Sequence, residues 1–169
     1  MQNQDVRAKA AVEQAMVAYF AGDTRRIEHA RKVTGYAEEL MMQESGDYVT
    51  VVAAGLLHDI GIHEAERKHG STTGKYQELE GPPIARGILS SLKFAPALID
   101  EICDIVGNHH SPGKIDTINF KVVYDADWLV NIRDEYDIKD RAKLASIIDD
   151  VLLTESGKTL ARKIYLKTA

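Results

Sequence analysis

The stretch Val51-Val52-Ala53-Ala54-Gly55-Leu56-Leu57-His58-Asp59 decides how this chain is read. An unbroken apolar run ends abruptly in an imidazole and a carboxylate. Extended from Asp47 to Ile60, the run predicts a helix buried nearly all round, since a helix that borders water carries polar residues along one side. Burying an unpaired charge is costly, so the terminal His58-Asp59 pair calls for a partner. Adjacent helical side chains lie about 100° apart, which still lets both converge on one cation at the helix end.

Working outward, the same helical periodicity recurs and no segment alternates convincingly as a strand would. Upstream, helices are expected from about Asp5 to Phe20, with Gly22 as its stop, and from an Asp23 or Thr24 cap to about Gln43. Downstream, helices are expected over Ile84 to Leu92, Pro96 to His109, Asn119 to Arg133, Lys139 to Leu153 and Ser156 to Lys167. The polar, glycine-containing stretch from Gly61 to Pro83 reads as a long connection, and loops of that length are often functional. Lys68 and Lys75 lie on it, where a solvated loop is the simpler account and closure over an anion the alternative.

The expected fold is an all-α, single-domain helical bundle spanning residues 1–169, with its motif-bearing region at about 24–133 and C-terminal helices at 139–167. A chain of 169 residues with 44% hydrophobic content suits one domain with a sizeable core. Cys103 is the one cysteine and cannot form an internal disulfide. With neither a signal-peptide pattern nor an apolar run of membrane-spanning length, the expected compartment is the cytoplasm. A formal charge of −5 argues against an extended nucleic-acid face, which relies on many lysine and arginine contacts to phosphate. It leaves room for a small anionic ligand in a local basic pocket, and for a homo-oligomer.

Four residues interrupt core-like surroundings: His29, His58, Asp59 and Asp127. Taken singly, His29 reads as a surface or hydrogen-bonded core histidine and Asp127 as a salt-bridge partner. Taken together, two imidazoles and two carboxylates make a mixed nitrogen and oxygen set suited to Mn, Fe, Co, Ni, Zn or Mg. His109-His110 ends a helix, where histidine also interacts favourably with the macrodipole.

Three segments in order resemble the HD-domain metal-dependent phosphohydrolase superfamily, covering roughly Arg26 to Val130. Arg26-Ile27-Glu28-His29 resembles its first motif, Ala53-Ala54-Gly55-Leu56-Leu57-His58-Asp59-Ile60-Gly61 its central motif, and Tyr124-Asp125-Ala126-Asp127-Trp128-Leu129 its closing segment. The resemblance implies that His29, His58, Asp59 and Asp127 bind one divalent metal. His109 and His110 stand where some branches hold a second ion. Glu80 replaces a histidine that such branches place just before a glycine, and a carboxylate can also ligate. Ile62 replaces the lysine common after the central motif, and Ser111-Pro112-Gly113 stands where a cyclic-dinucleotide branch has Gly-Tyr-Pro.

The function implied is hydrolysis of a phosphomonoester or phosphoanhydride bond in a small phosphorylated metabolite, most plausibly a nucleotide. Asp59 would ligate the metal and hold the attacking water, His63 or His109 would protonate the leaving oxygen, and Arg26 would bind a phosphate oxygen. His63 and Glu64 read equally well as polar surface. Two rival readings are a di-iron oxygenase on the same fold and a nucleotide-sensing module without turnover.

Overall fold

The computed structural model describes residues 3–166. Among these residues nine α-helices and no strand are found. They are α1 Asn3–Phe20, α2 Thr24–Leu40, α3 Tyr48–Leu57, α4 Ile62–His69, α5 Gly74–Ser91, α6 Pro96–Val106, α7 Ile118–Glu135, α8 Arg141–Val151 and α9 Glu155–Tyr165. The expected end of the last helix at Lys167 lies outside the described residues.

The all-α expectation therefore holds, and its central element is α3. Asp47 caps this helix by accepting from the Thr50 amide and hydroxyl, and every residue from Thr50 to Leu57 is buried. Helix α3 packs against α1, α2, α6 and α7, which leaves it no face toward water. That enclosure explains why its sequence carries no polar stripe. Gly55 lets α3 approach α2 closely, because a β-carbon there would stand 3.1 Å from the Thr34 hydroxyl oxygen.

The chain turns out of α1 through Ala21 and Gly22, both with positive φ, and Asp23 then caps α2 by accepting from the Arg26 amide. No helix is long and apolar enough to cross a membrane among the described residues.

The expected long connection from Gly61 to Pro83 is corrected by the structure: it is mostly helical. Helix α4 begins one residue after Gly61, buries Ile62 and Ala65, and ends at Gly70 in the left-handed conformation that glycine adopts without strain. Helix α5 begins at Gly74 and runs through Pro82 and Pro83, so it starts ten residues earlier than the expected Ile84. An internal proline forfeits a backbone hydrogen bond and crowds the preceding turn. Tertiary packing offsets that cost here, because α5 lies against both α4 and α6 and the Cys103 thiol donates to the Pro82 carbonyl.

The closest crossing in this region joins the α3–α4 turn to α5. A β-carbon on Gly61 would lie 2.5 Å from the Gly81 amide nitrogen and 2.6 Å from the Gln77 carbonyl oxygen. Both obstacles are backbone, so neither can rotate away. Gly61→Ala is expected to lower stability by about 1–3 kcal/mol, the usual cost of forcing extra volume into a packed interior. A fall in the urea midpoint at unchanged slope checks it, and an unchanged midpoint would contradict the packing described.

Candidate metal centre

The candidate site gathers side chains from α2, the turns after α3 and α6, and the middle of α7. Helix α2 carries Arg26 and, one turn later, His29. His58 terminates α3 and Asp59 follows in the turn. His109 and His110 follow α6, and Asp127 sits mid-way along α7 with buried neighbours on both sides.

The structure brings the four expected ligands together. His29 Nε2 lies 3.2 Å from His58 Nε2 and 3.1 Å from Asp127 Oδ1. Asp59 Oδ2 lies 3.7 Å from both His29 Nε2 and His58 Nε2, and His58 Nε2 lies 3.6 Å from Asp127 Oδ1. Around one ion with bonds near 2.0–2.2 Å, adjacent donors stand about 2.8–3.6 Å apart. The contacts among His29, His58 and Asp127 fall within that range, and the two contacts of Asp59 lie just beyond it.

Proton placement fits as well. The Nδ1–H of His58 donates to the Gly55 carbonyl at 2.7 Å, and the Nδ1–H of His109 donates to the Val106 carbonyl at the same distance. A carbonyl can only accept, so in its neutral form each ring presents the lone pair of Nε2 toward the site; burial favours that form at His58, whereas the nearby Asp59 draws His109 the other way. His109 Nε2 is buried, faces Asp59 Oδ1 at 3.5 Å, and makes no hydrogen bond. A buried acceptor without a partner is costly, and an electron-pair acceptor such as a cation would satisfy it.

Asp59 thus stands between two groups. Its Oδ2 faces His29 and His58, and its Oδ1 faces His109, with His110 close enough to complete a second three-residue set. Burial alone would raise the Asp59 carboxyl, but His58, His109 and His29 outweigh it and hold the group well below the usual carboxylate range. Asp127 behaves alike: burial opposes ionisation, and its hydrogen bond to His29 overcomes it. Burial drives the His58 imidazole down, toward the neutral form that a metal requires.

Around the cluster, Arg26 Nη1 lies 3.7 Å from Asp59 Oδ2. A cavity of about 480 Å³ opens above these residues, and Arg25, Arg26 and Lys32 line it together with His29, Asp59, Asp127 and His110. Glu28, Asp134 and Glu135 line it too, so the three cations are matched by three carboxylates outside the ligand cluster, and Arg26 is the cation within 4 Å of Asp59.

Two residues proposed from sequence are placed elsewhere. His63 Nε2 is bonded to Asp23 Oδ2 at 2.9 Å, with its ring edge-on to Phe20, and it does not line the cavity. Both oxygens of Glu80 are engaged, one by Lys68 at 2.7 Å and the other by His69 at 2.9 Å. Glu80 therefore ties α4 to α5 and falls outside both ligand groups. Lys68 also pairs with Glu64.

Three further residues escaped the sequence reading. Asn131 donates to Asp127 Oδ1 at 2.8 Å and orients it, and its position one turn beyond Asp127 was the signal that could have found it. Gln77 lines the cavity with its amide nitrogen bonded to the Thr72 carbonyl and its Oε1 buried without a partner. No periodicity marks it. Asp125 is fully buried, yet it accepts from the amides of Leu153 and Thr154 and from the Thr154 hydroxyl. Two residues apart on a helix, Asp125 and Asp127 point to opposite sides, one clamping the α8–α9 turn and the other entering the site.

A family model for the HD domain matches residues 26–151. The chain belongs to the HD-domain family. The crystal structure of a predicted HD superfamily hydrolase from an uncultured Thermotogales bacterium is similar, with a TM-score of 0.64 and 25% identity, over 95% of this chain and 84% of that one. A search of curated proteins gave no match. HD domains are a metal-dependent hydrolase superfamily, and the His and Asp clusters of this chain could hold divalent ions.

The two α7 aspartates give a direct test. Asp125→Ala strands three donors and is expected to cost about 2–4 kcal/mol of stability while folded protein retains its metal. Asp127→Ala is expected to reverse the pattern, weakening metal retention by ~10-fold or more with a smaller stability loss. Chemical denaturation alongside elemental analysis of both variants separates the two roles.

Proposed function

We propose that this HD-domain protein is a metal-dependent phosphohydrolase that cleaves a phosphomonoester or phosphoanhydride bond in a small phosphorylated metabolite, with nucleotides as the favoured class. The observation that carries this reading is the convergence of His29, His58, Asp59 and Asp127 at ligand spacing beneath a cavity lined by Arg25, Arg26 and Lys32. A site built for hydrolysis of a phosphate needs both parts, a cation-binding base and a cationic side chain beside it for the substrate, here Arg26 next to Asp59.

His29, His58, Asp59 and Asp127 would hold one ion, and Asp59, His109 and His110 a second. Divalent ions bound there supply Lewis acidity toward a phosphoryl oxygen and make water a better nucleophile near neutral pH. The protein's own contribution is orientation and charge. Arg26, one turn before His29 and 3.7 Å from Asp59, would bind a non-bridging phosphate oxygen. Asn131 holds Asp127, and the carbonyls of Gly55 and Val106 hold the rings of His58 and His109, so the donors are set before substrate arrives. Arg25 and Lys32 also line the cavity, alongside the carboxylates of Glu28, Asp134 and Glu135, so Arg26 at the Asp59 end is the cation that carries the phosphate contact.

Asp59's place between two ligand groups also suits a di-iron oxygenase, the one rival that a specific observation favours. Iron content with oxygen uptake and no phosphate release would decide for it. The leading reading predicts phosphate release from at least one member of a nucleotide and phosphoester panel with added manganese, magnesium, cobalt or iron. Chelation should abolish that release, and Asp59→Ala should lower it by ~100- to 10,000-fold, the range typical of a removed catalytic group. Activity that survives the Asp59 substitution would sink the proposal.

A further inference from the structure

A second groove, of about 530 Å³, continues from the candidate site along α2 and α7. The two spaces share Lys32, Val130 and Asp134 as walls, so the groove is an extension of the cavity above Asp59. Its lining differs in character. Val130 and Ile164 give it an apolar side, and Tyr36 and Tyr165 bring two aromatic rings. The Tyr165 hydroxyl donates to the Leu129 carbonyl at 2.6 Å, which holds that ring in place as a fixed wall.

Gly35 is the telling residue. It sits inside α2, where glycine is less favourable than alanine, and it borders the groove. A β-carbon there would meet nothing within 4 Å, so no protein neighbour demands its absence. Gly87 on α5 is as unhindered but borders neither groove. At Gly35 the missing side chain keeps bare helix backbone open to whatever fills the space, the usual reason for glycine where a ligand must come close.

We infer that this groove is the subsite for the leaving group of the substrate, and that its occupant is a neutral, flat, hydrogen-bonding ring of the nucleobase kind, laid over Gly35 beside Tyr36 and Tyr165. The charges agree: Lys32 and Arg133 balance Glu39 and Asp134, a lining that suits a neutral group and gives no net attraction to a second anion. The span agrees too. Gly35 lies six residues beyond His29, or ~9 Å along the helix at 1.5 Å per residue, about the reach from the phosphate of a nucleotide to its base. Aromatic walls stack on any base, so the site favours nucleobases as a class. The assignment rests on the phosphohydrolase reading, which puts the phosphate beside Arg26 and Asp59.

The experiment measures binding, so it does not depend on turnover. Manganese-loaded wild type, Gly35→Ala and Gly35→Leu are titrated calorimetrically with hydrolysis-resistant phosphonate analogues of adenosine, guanosine, cytidine and uridine 5′-monophosphates and with inorganic phosphate. At least one nucleotide is expected to bind wild type more tightly than inorganic phosphate. Gly35→Leu is expected to weaken that nucleotide ~10- to 100-fold, with Gly35→Ala between, while inorganic phosphate binds all three alike. Gly35→Ala should also melt ~2–4 °C higher, because it improves the helix. Nucleotides that bind no better than inorganic phosphate, or a Gly35→Leu variant that binds them as wild type does, would overturn the inference. So would parallel loss of both ligand types, which would mean damage to the metal centre. Nucleotide binding sensitive to Gly35 without phosphate release in any assay would uphold the groove and reject hydrolysis.

Discussion

Two carboxylates, Asp59 and Asp127, are buried among imidazoles at the end of an apolar helix, and the rest of the structure accommodates them. Each would resist ionisation in so dry a place, and each is kept ionised by its histidine neighbours. Helices α2, α3, α6 and α7 must meet at one point to bring those neighbours in. A cluster with this much negative charge and this many inward-facing lone pairs is short of positive charge, which a divalent ion would supply.

Rigidity follows from the same requirement. Backbone carbonyls set the rings of His58 and His109, Asn131 sets Asp127, and the Asp23 cap begins α2 three residues before Arg26. Glycines at 55 and 61 let the backbones of α2 and α5 approach the ends of α3. His58, Asp59, His109 and His110 stand where helices end, His29 and Asp127 reach them from within α2 and α7, and the packed helices fix where all of them lie.

Much of this was legible in the sequence because it is local. The unbroken apolar run of α3 can only be a central helix, and polar residues within core-like stretches flagged His29, His58, Asp59 and Asp127. Where a long-range contact decides the outcome, local signals misled. Pro82-Pro83 and the glycines near them read as a connection, yet packing of α5 on α4 and α6 carries the helix through both prolines. Glu80 read as a candidate ligand because its neighbourhood resembled a ligand-bearing segment, and its partners proved to be Lys68 and His69.

What the sequence determined by itself was the fold class and the candidate donor set, since both depend on periodicity and on residue chemistry at short range. What only tertiary structure decided was the partnership of each side chain. Asp125 and Asp127 are indistinguishable as letters, but helical rotation sends one to the α8–α9 turn and the other to the candidate metal centre. His63 adjoins the central motif in sequence and pairs with Asp23 in space. Gln77, without any motif, lines the cavity. The groove beyond Gly35 exists only where α2, α7 and the end of α9 converge, because a cavity is a property of several segments at once.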